Sequence, residues 1–500
     1  MGNLYSLTLL KQRRLPMHIA KLVSRLFKLF IPSIIEEIAK TSGFMKRHSK
    51  LLPETFAKAM TLGLLDTKNI TEEVIAEKCA VIQNGVSLSK QAISSRLQDS
   101  ELFLKELLKR AFSLIYSNTL ESHSSLLLTY FSDVKLLDAT TISLPEQVAD
   151  DYPGMGGRNA KAALKIQTLY SAINHSITCF DITSGVTHDT LALPEMIETL
   201  SERELFLADL GYFDIKQLQK IGEKNFFISR IKTNLKLYKA ISEKYAIYEQ
   251  LDVTSALKKA MSSIDQEIYI GTDTHSKLKV RLVGTKLPDE VVHKRIKKAI
   301  VQNGGNDISA SKREMLHWNL MITNINADVL DTTIITELYR IRWQIELLFK
   351  VLKSTFSIDK IHVAKTKYIE SILYGRLIGI LMTMPLYDCI DQTLLSSKGR
   401  GVSIQRFYTL LNVDLYQFYT LKKGILHSHA TLCDILIRIG NLALHEKRVR
   451  QTTYSRIESY LEEILRLGKL RLKLTAMISQ YRNNKKSKKT ETFDKDNKNL

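Results

Sequence analysis

Three carboxylates stand in apolar surroundings along this 500-residue chain. Asp138 lies in VKLLDATTI, where strand alternation puts it on the same side as Val134 and Leu136. Asp209 closes the apolar run LFLAD, and the carboxyl ends of such strands are where α/β sheets place their sites. Glu346 falls in YRIRWQIELLFKVLKS, residues 339–354, a stretch of helical composition without Gly or Pro. At about 100° per residue, Tyr339, Arg342, Glu346 and Lys353 fall within about 60° of one another around the axis. Ile341, Ile345, Leu348 and Leu352 flank that stripe on one side, and Trp343, Leu347 and Val351 on the other. A surface helix normally carries a broad polar face, so a narrow polar stripe between apolar flanks asks for a chemical reason.

Buried carboxylates repel one another unless a cation joins them. Mg²⁺ prefers such oxygen ligands, and Mn²⁺ fits the same set. Two such ions about 3.5–4 Å apart activate a water or a 3′-hydroxyl and stabilise the leaving oxygen of a phosphodiester. Arg342 and Lys353 supply cations for phosphate, the first as a fork and the second as a point charge. Blander readings compete with this one. Arg342 and Glu346 at i, i+4 make a plain ion pair worth a few tenths of a kcal/mol (about 0.2–0.5). A strand Asp is often a hydrogen-bonded structural residue. Spacing alone leaves both readings open.

The elements that must position these groups follow from the patterning. Residues 1–130 read as a helical N-terminal region. Within it, 70–99 is a helix, a connection containing Gly85, and a second helix starting near Ser87 or Ser89, which are good N-caps. Lys90, Gln91, Ser94, Ser95 and Arg96 on the second helix suit contact with a DNA groove, and a plain helical hairpin is the alternative. From 131 to 230, hairpin-linked strands give way to alternating helix and strand, which predicts a mixed sheet with helices on its faces. Residues 231–333 read as a β-rich insertion, and 334–360 as the helix carrying Glu346. Residues 361–482 turn helical, and 483–500 form a polar tail without periodicity, expected to be disordered. The fold class is therefore α/β.

Lys and Arg number 72 against 52 Asp and Glu, a formal charge of +20 spread along the chain. That favours a polyanionic partner, nucleic acid first and a membrane surface second. The apolar segment 371–390 contains Arg376 and Pro385 and is expected to be a core helix rather than a membrane span. Cys79, Cys179, Cys389 and Cys433 lie far apart, without metal-ligand spacing or a disulfide framework, which fits a reducing compartment. The opening residues show no signal peptide, and MGNLYS touches the myristoylation pattern only weakly. A cytoplasmic protein is expected.

Tyr339, Arg342, Glu346 and Lys353 together match the Y-x₂-R-x₃-E-x₆-K signature of the IS4 family of bacterial insertion-sequence transposases. LLDATTISLP resembles the segment around that family's first catalytic Asp, and LFLADLGYFD the segment around its second. The resemblance covers roughly 130–360 and leans towards the IS231-like group. It implies an RNase H-like fold with a β-rich insertion before the Glu helix. It also implies a DDE site of Asp138, Asp209 and Glu346 holding two Mg²⁺, with Mn²⁺ able to substitute. Tyr339, Arg342 and Lys353 would contact phosphates of the transposon end. Trp318 lies where a base-stacking aromatic of the insertion is expected, a core aromatic being the alternative; Trp343 is expected in the core. Lys161 and Lys165 are further phosphate candidates. His188 and Asp189 match a family segment, yet suit a plain loop and a helix cap. The implied function is cut-and-paste transposition through end cleavage, a hairpin and strand transfer, by a homodimer on paired terminal inverted repeats near the bacterial nucleoid. The alternative is a catalytically inactive, transposase-derived DNA-binding protein.

Overall fold

The computed structural model describes residues 22–24, 26–65, 67–116, 126–156, 161–271, 277–419 and 426–445, and beyond them 457, 459, 461 and 462. The tail at 483–500, the MGNLYS opening and nearly all of 446–482 lie outside the described residues. Two compact units are each assembled from distant stretches. The first unit takes Met1–His123, Leu136–Ala192 and Gln344–Val449; the second takes Ser124–Lys135, Leu193–Trp343 and Arg450–Leu500.

In the first unit the expected N-terminal helices form at Pro32–Thr41, Pro53–Met60, Glu72–Ile82, Lys90–Asp99 and Glu101–Tyr116. Thr71 and Ser89 cap the third and fourth, each accepting from a backbone N–H three residues on. The second helix of that pair keeps Lys90 exposed and half-buries Ser94 and Arg96, each of the three with a partner in the protein. Lys90 pairs with Glu73 at 2.9 Å, and Ser94 bonds the Tyr368 hydroxyl. Arg96 donates to Ser49 Oγ at 2.5 Å and lies over the Phe44 ring. Gln91 and Ser95 remain exposed.

Thr366–Lys398, a helix of 33 residues, has the length and composition of a membrane span, yet 89% of its most apolar window is buried inside the protein. It meets the chain after Pro53–Met60 through two glycines one turn apart. A Cβ on Gly375 would run into the Met60 carbonyl, and one on Gly379 would lie 2.9 Å from the Thr61 carbonyl oxygen. Backbone atoms cannot swing aside, so both positions demand the missing side chain. Gly375→Ala is expected to cost about 1–3 kcal/mol through overpacking and to lower the melting temperature, as read by thermal denaturation.

Strand β1 (Val134–Leu144) begins in the second unit and runs on in the first. In the first unit it is followed by β2 (Ala162–Ser171) and β3 (Ser176–Ser184), in the order β3-β2-β1. β2 and β3 pair antiparallel across the expected turn, where His175 takes φ +46°. In the second unit, Leu205 donates its N–H to the Asp133 carbonyl at 2.9 Å and starts β4 (Leu205–Ala208). β5 (Phe226–Arg230) lies parallel to β4. The insertion supplies β6 (Leu237–Ser242), β7 (Ile247–Gln250), β8 (Ser263–Ile270), β9 (Leu278–Lys286) and β10 (Trp318–Thr323). Their order from the core outwards is β5-β10-β9-β8-β6-β7. β10 pairs antiparallel with both β5 and β9, so the insertion extends the core sheet instead of standing apart.

The stretch that carries the signature is not one helix. Thr332–Arg340 ends, and Trp343–Ser354 begins anew. At the break, the N–H groups of Ile341 and Arg342 bond carbonyls only three residues back, Leu338 and Tyr339. The single helix expected over 339–353 is therefore corrected to a helix that ends with Tyr339 and Arg340, a turn at Ile341 and Arg342, and a second helix with Glu346 and Lys353.

Candidate active site

The second unit gathers four polar groups around the end of β4. All four strand residues are buried, and Asp209 follows them half-exposed. The Tyr339 hydroxyl donates to the Ala208 carbonyl at 3.2 Å, one residue before Asp209. The Tyr339 side chain is buried, and the Arg230 guanidinium lies over its ring at 5.3 Å. Burial pushes the Tyr339 phenol up; the Arg230 and Arg342 charges pull it back, and the Asp209 charge adds to the rise. Tyr339, Arg230, Arg342 and Asp209 thus sense one another electrostatically. In this arrangement the Tyr339 hydroxyl holds the strand end that presents Asp209. Arg230 escaped the sequence reading. Its signal was an arginine closing NFFISR, the next strand after the Asp209 segment, with one helix between them.

The first unit holds the other two carboxylates. Asp138 sits half-exposed on β1 and accepts the Ala139 N–H at 2.9 Å. Lys353 donates to the Thr141 carbonyl on the same strand at 3.0 Å. Glu346 lies seven residues before Lys353, two turns back on the same helix face. Ile345, Leu348 and Leu352 bury the inner face of that helix. The opposite flank departs from expectation: Trp343 is 60% exposed and Leu347 46%, and only Val351 of that flank is buried.

The second-tier residues are mostly committed to partners. Lys165 donates to the Thr187 carbonyl at 2.7 Å and to Asp189 at 2.9 Å, with both side chains mostly covered. Asp189 therefore serves Lys165, and the residue that caps the following turn is His188, whose Nδ1 accepts the Thr190 N–H. Lys161 pairs with Glu146 on the open surface, an arrangement worth about 0–1 kcal/mol. Trp318 is 2% exposed, with its indole N–H buried. A stacking platform for a base is corrected to a core aromatic at the start of β10, since neither ring face reaches solvent.

The donor set is chemically apt for a hard divalent cation, because Asp138, Asp209 and Glu346 offer only carboxylate oxygens. Among the described residues, no three His, Cys, Asp or Glu side chains are drawn together as a ready-made metal cluster.

The sequence profile described as "Transposase DDE domain" matches residues 129–382. The chain belongs to that family, the DDE transposases of insertion sequences. It is similar to the transposase of insertion sequence element IS1151 from Clostridium perfringens, at 28% identity over 83% of this chain and 90% of that relative. It is also similar to the IS231C transposase from Bacillus thuringiensis subsp. berliner, at 27% identity over 83% of this chain and 89% of that relative. The IS4-family, IS231-like resemblance read from the signature is thereby borne out, and the expected mixed sheet with helices beside it is present in the fold. A solved piggyBac transposase synaptic complex with hairpin DNA aligns with a TM-score of 0.39 at 10% identity, over 88% of this chain and 87% of that one, a likeness too distant to carry an argument.

Proposed function

We propose that this chain cuts its own element from flanking DNA and joins it to a target, with Asp138, Asp209 and Glu346 as the catalytic carboxylates. The observation that carries the reading is the family match over 129–382, which encloses all three carboxylates and the whole Y-x₂-R-x₃-E-x₆-K signature. Bound Mg²⁺ or Mn²⁺ supplies activation of a water or 3′-hydroxyl and charge neutralisation at the phosphodiester. Within the chain, Tyr339 fixes the strand end at Ala208, so that Asp209 projects from a rigid element. Lys353 ties the Glu346 helix to β1, the strand of Asp138. Arg342 and Arg230 stand ready to hold phosphate oxygens, and Arg suits that work because its fork matches them.

The sequence of reactions is a hydrolytic nick, attack of the freed 3′-hydroxyl to form a hairpin, hairpin opening, and strand transfer. Each is an in-line displacement at phosphorus. Two ends must meet, so the working form is a homodimer on paired terminal inverted repeats, in the cytoplasm beside the chromosome. The test is cleavage of a labelled duplex carrying the element's end, in Mg²⁺, Mn²⁺, Ca²⁺ or EDTA. Nicking at the element boundary with Mg²⁺ or Mn²⁺, abolished by EDTA, is the expected result. Specific binding with no cleavage in any metal would point to an inactive DNA-binding descendant, and neither binding nor cleavage would overturn the reading outright.

A further inference from the structure

A basic cleft of about 600 Å³ opens in the first unit beyond Lys353. Lys68, Lys350, Lys353 and Lys360 line it with His362, against a single carboxylate, Asp359. Its two walls come from far apart in the chain: the loop at 67–70 and the segment from Lys350 to His362. Arg376 joins them. Its side chain is buried, and it donates to the Thr67 carbonyl at 2.6 Å and the Ser357 carbonyl at 2.7 Å. The lysines are therefore carried on a braced frame, not on loose loops. Asp359 is partly spent on Lys360 at 3.7 Å, which leaves the wall cationic.

We infer that this cleft holds the phosphodiester backbone of the transposon-end DNA next to the scissile region, through Lys68 and Lys360 in addition to Lys353. The inference rests on the transposase reading and extends it to residues outside the signature. Three observations support an extended polyanion over a small free anion. The volume equals about 20 waters at roughly 30 Å³ each, far more than one phosphate. Four ammonium groups exceed what one phosphate dianion can neutralise. A second cleft of about 390 Å³ shares Asn69, Lys360 and His362, so the groove continues past the first. Lysines on a groove wall give backbone contact without base readout.

The experiment measures binding of labelled end duplex by fluorescence anisotropy across a salt series. Wild type is compared with Lys68→Ala/Lys360→Ala, with Lys68→Arg/Lys360→Arg, and with Lys40→Ala/Lys109→Ala, which removes two exposed lysines outside the cleft. Each lost phosphate contact lowers the slope of log K against log salt by about 0.9. The double Ala variant is expected to lose nearly two units of slope and about tenfold in affinity, estimated for two lost contacts. The Arg pair should keep the slope, and the Lys40/Lys109 pair should match wild type. Isothermal titration with inorganic phosphate forms a second arm. Loss of phosphate binding with an unchanged DNA slope would make the cleft a small-anion site and overturn the inference. An unchanged slope in both arms, or an equal loss in the Lys40/Lys109 control, would also overturn it. If wild type does not prefer the end duplex over a scrambled one, the transposase reading itself fails, a result separable from a normal wild type with an indifferent double variant.

Discussion

Glu346→Gln is expected to slow cleavage of the element's end by at least about 10³-fold, equivalent to about 4 kcal/mol of lost transition-state stabilisation, while leaving DNA binding intact. Gln keeps the shape of Glu and removes only the charge. The helix that carries it also has apolar and hydrogen-bonded anchors of its own. Its inner face is held by Ile345, Leu348 and Leu352, and its far end by Lys353 on the Thr141 carbonyl. A loss of cleavage with DNA binding retained therefore reports chemistry and not misfolding. Single-turnover cleavage, run beside binding of the same duplex, makes the measurement. Equal rates for wild type and variant would reduce Glu346 to an ion-pair partner and send the search for the catalytic centre elsewhere.

The second large effect concerns stability. Lys135 is buried between Asp133 at 2.9 Å and Glu204 at 3.6 Å, with all three side chains under 9% exposed. These residues stand where β1 and β4 begin, joined there by the Leu205 N–H on the Asp133 carbonyl. Lys135→Met keeps the bulk and leaves two buried carboxylates without their cation. Breaking such a pair costs about 3–5 kcal/mol. Burial already pushes the Glu204 carboxyl above its ordinary value, with Lys135 opposing the shift. A carboxyl raised in the folded state contributes stability that is fully present below its unfolded value, near 4.5, and is lost as pH rises through the folded value. Without Lys135 the rise is larger. The deficit of the variant should thus be greatest at neutral pH and shrink as pH falls towards 4.5. Urea unfolding at several pH values tests this, because Trp318 and Trp343 both report on the second unit. A deficit that did not change with pH would mean the carboxylates find other partners.

Much of this architecture could be read before any coordinates. β1, β4 and β5 announced themselves as apolar runs with turn residues at their ends, and Thr71 and Ser89 marked helix starts by their capping chemistry. Asp138, Asp209 and Glu346 were legible as carboxylates in apolar company. What escaped depended on tertiary contact. The break after Arg340 has no Gly or Pro to signal it, so periodicity ran straight through. Tyr339 looked like a surface ligand because nothing in its sequence neighbours shows the Ala208 carbonyl it would bond. Trp318 and Trp343 exchanged their expected environments for the same reason: periodicity assigns faces to a strand or a helix, and only packing decides which face meets solvent. Arg230 and Lys68 act at a distance in sequence from everything they serve.

The interleaving of the two units has a consequence for synthesis. The helices before residue 116 are made early, yet the long helix whose Gly375 and Gly379 fit against Met60 and Thr61 is completed only at Lys398. At roughly 5–20 residues per second, the nascent N-terminal helices wait about 15–55 seconds for that partner. A polypeptide that stops short of it leaves Met60, Thr61 and Leu65 without the glycine face they fit against. The first unit therefore cannot be assembled before the chain has been made through the long helix that ends at Lys398.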